Sequence, residues 1–209
     1  MSFLEGRAGD AVIADGVPRE VRLGRFSELV SNLGGDYAEL MRHGHLYQAS
    51  MQAGASLGTA LTATAVTLTL YNPSGSSVIL AILECAVVIT ALPAVAAGNN
   101  VALVYAANDD PSSPIPVTVT QLTVRNALLG KGVGSGRAYS AATLPAAPVV
   151  IRVHPLGVNN QTAVGMGMLA GKDLVNGAIG LQPNTAVTLQ AIGTASSGIV
   201  SMLWAEIPR

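Results

Sequence analysis

The segment VILAILECAVVIT at 78–90 constrains this chain more than any other. Apart from Glu84 and Thr90 its side chains are all apolar, with no alternation between an oily and a wet face. A strand of that composition has to be covered on both sides, by its own core and by a further layer. The stretch LYNPSGSS at 70–77 leads into it. Asn72-Pro73 starts a turn because proline fixes φ and pushes its neighbour toward extended geometry, and Gly75 can supply a positive φ. On the other side of the turn, residues 62–71 alternate, with Val66, Leu68 and Leu70 on one face and Thr67, Thr69 and Tyr71 on the other. That is the pattern of a half-buried strand.

A hydropathy window flags 78–97 as a membrane span. Glu84 near the middle costs about 2.5–3.5 kcal/mol on an insertion scale. Pro93 also interrupts the run, and β-branched residues dominate it. A buried strand followed by a turn explains the same residues, and no membrane partner is expected.

From about residue 56 onward, short Val, Ile, Leu and Thr runs alternate with Gly, Pro, Asn and Ser. Candidate strands cover 61–71, 78–91, 100–107, 115–126, 138–144, 148–154, 162–169, 185–192 and 198–205, with long gaps near 108–114 and 170–184. Short strands at this spacing predict an all-β protein, and the non-hairpin gaps favour Greek-key crossings. The expected fold is a jelly-roll-like antiparallel β-sandwich with an N-terminal arm.

The charges mark where the arm ends. Only 11% of the 209 residues are charged, against about 25% in an ordinary globular protein. Of the 23 formal charges, 12 lie within residues 1–45, and 47–124 holds only Glu84, Asp109 and Asp110. The division is therefore set at 1–47 for the arm and 48–209 for the sandwich. In the arm Phe26, Leu29, Val30 and Leu33 recur at helical spacing, Gly34-Gly35 breaks the pattern, and Tyr37, Leu40 and Met41 resume it before Gly44. Two short helices with a hinge are expected. Glu5, Arg7, Asp10 and Asp15 occupy the place where a secretory signal needs an apolar run, so synthesis inside the cell is expected.

Catalytic or ligand-binding chemistry has little to draw on. Cys85 stands alone in the apolar strand and reads as a small buried hydrophobe. His43 and His45 have the spacing of metal donors but lack the companions of a zinc site. His154 follows Arg152 on one face of VVIRVH (149–154) and is expected on the outer side of that strand. GKGVGSGR at 130–137 invites a phosphate-loop reading, but no Gly-Lys-Ser/Thr closes it and no helical pattern follows, so a flexible exposed loop is expected. Asp109-Asp110 before Pro111 reads as a turn. The net charge of −1 steers toward no polyanion. No cofactor, metal, nucleic acid or small-molecule substrate is expected, and no enzymatic activity.

A family resemblance adds a function. YQASMQAGASLGTALTATAVTLTLYNPSGSSVILAILE at 47–84, LPAAPVVIRV at 144–153, LQPNTAVTLQA at 181–191 and SGIVSMLWAEIP at 197–208 together resemble virion structural proteins of tailed bacteriophages. The resemblance covers roughly residues 37–208. It implies a capsid decoration or cement protein in the virion, bound to the major capsid protein and commonly a homotrimer. A tail, baseplate or head-fibre-base component shares the same features. A carbohydrate-binding receptor-recognition module is a third reading, against which stands the scarcity of rings, one Trp and five Tyr. Under the capsid reading, Arg19, Arg22 and Arg25 are the basic contacts of the arm and Phe26, Leu29 and Leu33 its apolar ones. Ile79, Leu83, Glu84, Val87 and Ile89 are expected at a subunit interface.

Overall fold

The computed structural model of the chain describes residues 37–64, 67–91, 101–108, 120–158, 169–193 and 195–209. The chain divides into two units, 1–39 and 40–209. The strands of the described residues lie in the second unit and form a sandwich of two antiparallel sheets. The arm contacts Arg19, Arg22, Arg25, Phe26, Leu29 and Leu33, and the first helical pattern, fall outside the described residues. The second helical pattern is a single turn, α1 (Ala38–Arg42), which buries none of its side chains. Gly44 follows at φ +73°, a left-handed geometry in which glycine ends helices at no steric cost.

The first sheet contains β1 (Leu46–Ser50), β2 (Ala55–Ser56), β4 (Val78–Ala91), β7 (Arg125–Asn126), β10 (Leu169–Leu181) and β12 (Ser197–Pro208). The second contains β3 (Leu68–Asn72), β5 (Val101–Asn108), β6 (Thr120–Gln121), β8 (Arg137–Ser140), β9 (Val149–Val158) and β11 (Thr185–Gly193). Their orders are β10-β4-β12-β1-β7, with β2 also pairing β12, and β6-β8-β3-β11-β5-β9. The chain thus crosses between sheets at β2 to β3, β3 to β4, β4 to β5, β6 to β7, β7 to β8, β9 to β10, β10 to β11 and β11 to β12.

The LYNPSGSS turn makes the crossing from β3 to β4. Gly75 sits at φ +81°. The Asn72 side-chain amide donates to the carbonyls of Val78 (2.8 Å) and Leu181 (2.9 Å), pinning the corner to the end of β10. Its strand is shorter than the pattern over 61–71 suggests. Thr62 instead runs over the outer face of the second sheet, where its backbone N–H and C=O both bond the buried Gln190 amide at 3.0 Å. Tyr71, Ala142, Leu144 and Ala186 form a small second cluster. This accounts for Thr67 and Thr69 being fully buried although they are polar.

The central strand β4 alternates after all, in two halves of opposite phase. Leu80 and Ile82 point into the core, and so do Cys85, Val87 and Ile89. Pairing with β12 skips Leu83, since Ile82 faces Trp204 and Glu84 faces Leu203. One extra residue of this kind is a β-bulge, which shifts the side-chain phase by one. An apolar run therefore conceals a phase change. The main core also takes Leu57, Leu68, Leu70, Leu103, Tyr105, Leu189, Met202 and Trp204.

Two further expectations change. Residues 46 and 47 belong to β1, a strand of the first sheet between β12 and β7, so the sandwich begins ahead of residue 48. Within the 170–184 gap lies most of β10, whose pairing with β4 is interrupted between Leu174 and Ile179. Asn176 (φ +51°) and Gly177 (φ +78°) make that excursion.

Candidate functional site

Among the described residues, four surfaces or clusters concentrate polar or exposed apolar groups. At one side of the sandwich the glycine-rich stretch 130–137 leads into β8. Its first half is exposed as expected, but its second half is built into the fold around Glu206, a buried carboxylate at the end of β12. The N–H of Ser135 donates to Glu206 Oε2 (2.9 Å) and that of Gly136 to Oε1 (2.8 Å). A Cβ on Gly134 would lie 2.3 Å from Glu206 Oε1 and 2.8 Å from a Tyr47 ring carbon, and one on Gly136 would lie 2.9 Å from Trp204 Nε1. Glycine is required there because backbone and carboxylate touch. The Arg137 guanidinium turns back onto the carbonyls of Gly134, Ser135 and Gly136 (2.7, 2.9 and 3.1 Å). Tyr47 stacks on Trp204 with centroids 6.4 Å apart, and burial, with the Glu206 charge second, raises the Tyr47 phenol pKa. The anion that these backbone amides hold is supplied by the chain itself.

On the opposite side, β9 and β10 are the edge strands of the two sheets. Arg152 Nε and Nη2 donate to Asp173 Oδ2 and Oδ1, both at 3.0 Å, in a bidentate bridge from one sheet to the other. Those hydrogen bonds hold the Asp173 carboxyl below the usual carboxylate range. Next to Arg152 on the inner face is His154, which is 2% exposed. The same-face relation of Arg152 and His154 is as the sequence suggests, but the face is the inner one. The His154 Nε2 lies 3.4 Å from the Cys85 carbonyl oxygen, and its ring is 6.0 Å from that of Tyr105. Burial lowers the His154 pKa, pushes the Cys85 thiol up to about 12 and drives the Tyr105 phenol far above its usual value. Cys85 is thus a protonated, unreactive thiol at neutral pH.

Around this bridge the rim is apolar. Val149 and Val153 are 66% and 64% exposed, with Ile151 and Leu174 about half so. The backbone edge of β9 is irregular, since its register against β5 shifts twice, and Pro155 offers no N–H. Bulges, proline and an inward-pointing charge are devices that keep an edge from recruiting another strand. Strand addition at this edge is thereby disfavoured.

The third feature is a shallow groove of about 480 Å³ on the outer face of the first sheet, among Gln48, Ser50, Glu84, Arg125 and Ser201. Lys172 reaches Glu84 at 3.0 Å. Among the described residues no aromatic ring lines the groove. The fourth is the pair of exposed histidines His43 and His45, whose rings lie 6.5 Å apart. Among the described residues no group of three or more His, Cys, Asp or Glu side chains is placed to hold a metal ion. Asp109 and Asp110 fall outside those residues.

The five residues expected at a subunit interface are dispersed. Val87 and Ile89 belong to the chain's own core, because the bulge at Leu83 turns them inward. Leu83 is buried at that bulge, Ile79 is half-buried at the start of β4, and Glu84 is half-buried beside Lys172 on the outer face. The apolar rim of β9 and β10 was not singled out from sequence, although the run VVIRV at 149–153 carries its signal. Comparison of the chain with protein-family models, curated proteins and solved structures finds no match.

Proposed function

We propose that this chain is a structural protein of a tailed-bacteriophage virion, a decoration protein that binds the major capsid protein on the outside of the shell as a homotrimer. The observation that carries the reading is the exposure of four large apolar side chains, Val149, Ile151, Val153 and Leu174, on the two edge strands of a charge-poor body, since exposed apolar side chains gathered at one edge suit an assembly contact. The strand order supports it. We read β1-β12-β4-β10 opposite β3-β11-β5-β9 in this two-sheet antiparallel sandwich as jelly-roll-like, the kind of fold used by viral capsid and lectin domains. On this reading the fold is a jelly roll, the rim joins the subunits, and the arm with Arg19, Arg22, Arg25, Phe26, Leu29 and Leu33 grips the shell. The role is structural rather than catalytic. The sequence resemblance over 47–84 and 197–208 points the same way.

Cryo-electron microscopy of the purified virions that carry this protein tests the assignment through position and copy number. Density for the sandwich repeating over the outer shell supports it. Density confined to a tail, baseplate or fibre base, or absence from the particle, overturns it.

A further inference from the structure

A cyclic trimer sets a condition that the β9–β10 rim alone does not meet. In a ring each copy presents two different patches, one to each neighbour, whereas a patch that meets itself gives a two-fold dimer. The rim therefore needs a counterpart elsewhere on the same surface. Of the large apolar side chains exposed among the described residues, all but Leu61, Ile192 and Ile207 belong to one of two places. One is the rim. The other is the loop from β7 to β8, where Leu129 and Val133 are the two most exposed, at 78% and 77%, with Leu128 beside them. The sheet orders put the two places at opposite edges, since β9 and β10 end their sheets on one side while β7 and β8 lie toward the other.

The loop is built to hold those side chains outward. Leu128 to Lys131 has the geometry of a type II turn, closed by the Lys131 N–H on the Leu128 carbonyl (3.1 Å), with Gly130 at φ +92° in the third position. Its entry is tied down at the corner ahead of β1. The Leu128 N–H donates to Asn126 Oδ1 (2.8 Å), the Asn126 amide donates to the Gly44 carbonyl (2.7 Å), and the Ala127 N–H donates to the Leu46 carbonyl (2.8 Å). The Lys131 stem packs across the same corner, where a Cβ on Gly44 would lie 2.9 Å from its Cε. At the exit, Ser135 and Gly136 are fixed to Glu206. An apolar tip tied at both ends is pre-organised and loses little conformational freedom on docking.

The rim offers a matching shape. Between β9 and β10 lies an open recess of about 340 Å³, lined by Ile151, Arg152, Ala178, Ile179 and Gly180. Its lining is apolar apart from Arg152, whose guanidinium is occupied by Asp173. We infer that the β7–β8 loop of one copy docks on the β9–β10 rim of the next, with Leu129 and Val133 seated in that recess. The assignment rests on the homotrimer reading, in which the rim joins subunits, and it names what the rim meets. The contact runs head to tail and closes a ring when repeated three times.

Thiol crosslinking and sedimentation of the full chain test it together. Cys85, the single cysteine of the sequence, is buried and protonated, so a cysteine placed on the surface is the reactive thiol. With a flexible bismaleimide, Leu129→Cys/Ile151→Cys should give covalent dimers and trimers, and neither single variant should give any. Leu129→Ser/Val133→Ser, which alters only exposed positions, should lose the trimer and keep its circular dichroism spectrum. Covalent dimers from either single variant mean that like meets like, and they overturn the contact, as does a double variant that stays uncrosslinked. A trimer that survives the two serines leaves the loop to another partner and overturns the contact while sparing the rim. A wild-type chain that sediments as a monomer overturns both.

Discussion

The two sides of the sandwich each bury a carboxylate, and they neutralise it in different ways. Glu206 is held by two backbone N–H groups of a glycine-rich loop, with stacked Tyr47 and Trp204 behind it. Asp173 is held by a guanidinium from the opposite sheet that is itself partly exposed. Backbone donors are fixed by the fold and cannot turn away, whereas an arginine at a rim exchanges its partner for water at little cost. The first side should therefore be rigid and indifferent to salt. The second should be the place where the molecule yields to acid and ionic strength.

Breaking the Glu206 side should have the largest consequence. Glu206→Ala leaves the amides of Ser135 and Gly136 without an acceptor, at roughly 1–3 kcal/mol for each buried group. Denaturant titration should show a lowered midpoint with an unchanged slope. A loss within a few tenths of a kcal/mol would mean that water replaces the carboxylate freely.

The same loop offers an internal control. Gly134→Ala sets a Cβ against Glu206 and Tyr47, while a Cβ on Gly132 meets nothing within 4 Å. Overpacking of this kind costs about 1–3 kcal/mol. Thermal melts should place Gly134→Ala clearly below the wild type and leave Gly132→Ala close to it. Equal melts for the two would show that the second half of the loop is as open as the first.

The smallest effect is expected at the other rim. Asp173→Asn should destabilise less than Glu206→Ala, because Arg152 can swing into water. The carboxyl of Asp173 is held below its ordinary range, so its contribution is present above that range and is lost as pH falls through the lowered value. Wild-type stability should thus decline through this low-pH window with a component that Asp173→Asn lacks. Stability profiles of wild type and variant that run parallel through this range would remove the bridge from the account.

Parts of this contrast were legible in the sequence. The apolar runs at 78–91, 185–192 and 198–205 lie on β4, β11 and β12, because burial on at least one face leaves an unambiguous composition. β10 was hidden, since its Gly171, Lys172, Asp173 and Asn176-Gly177 resemble a loop. Asp173 is tolerated there because Arg152 arrives from the opposite sheet, while Lys172 is exposed and pairs with Glu84. The inward turn of His154 was hidden for a related reason, as a neighbouring arginine suggests water and here reaches it from inside the rim. Glu206 left one faint signal, an acid in the otherwise apolar LWAEIP with a glycine-rich loop elsewhere to receive it. The bulge at Leu83 left none, because a shift of phase within an all-apolar strand does not alter its composition.

Sedimentation velocity at micromolar concentration shows whether the exposed apolar residues of β9 and β10 join copies of this chain. The wild-type chain is expected to sediment as a trimer. The double variant Val149→Glu/Val153→Glu, which charges only exposed positions, should sediment as a monomer with an unchanged far-ultraviolet circular dichroism spectrum. A wild-type chain that is monomeric and soluble under these conditions, or an oligomer that the two glutamates leave intact, would contradict the account.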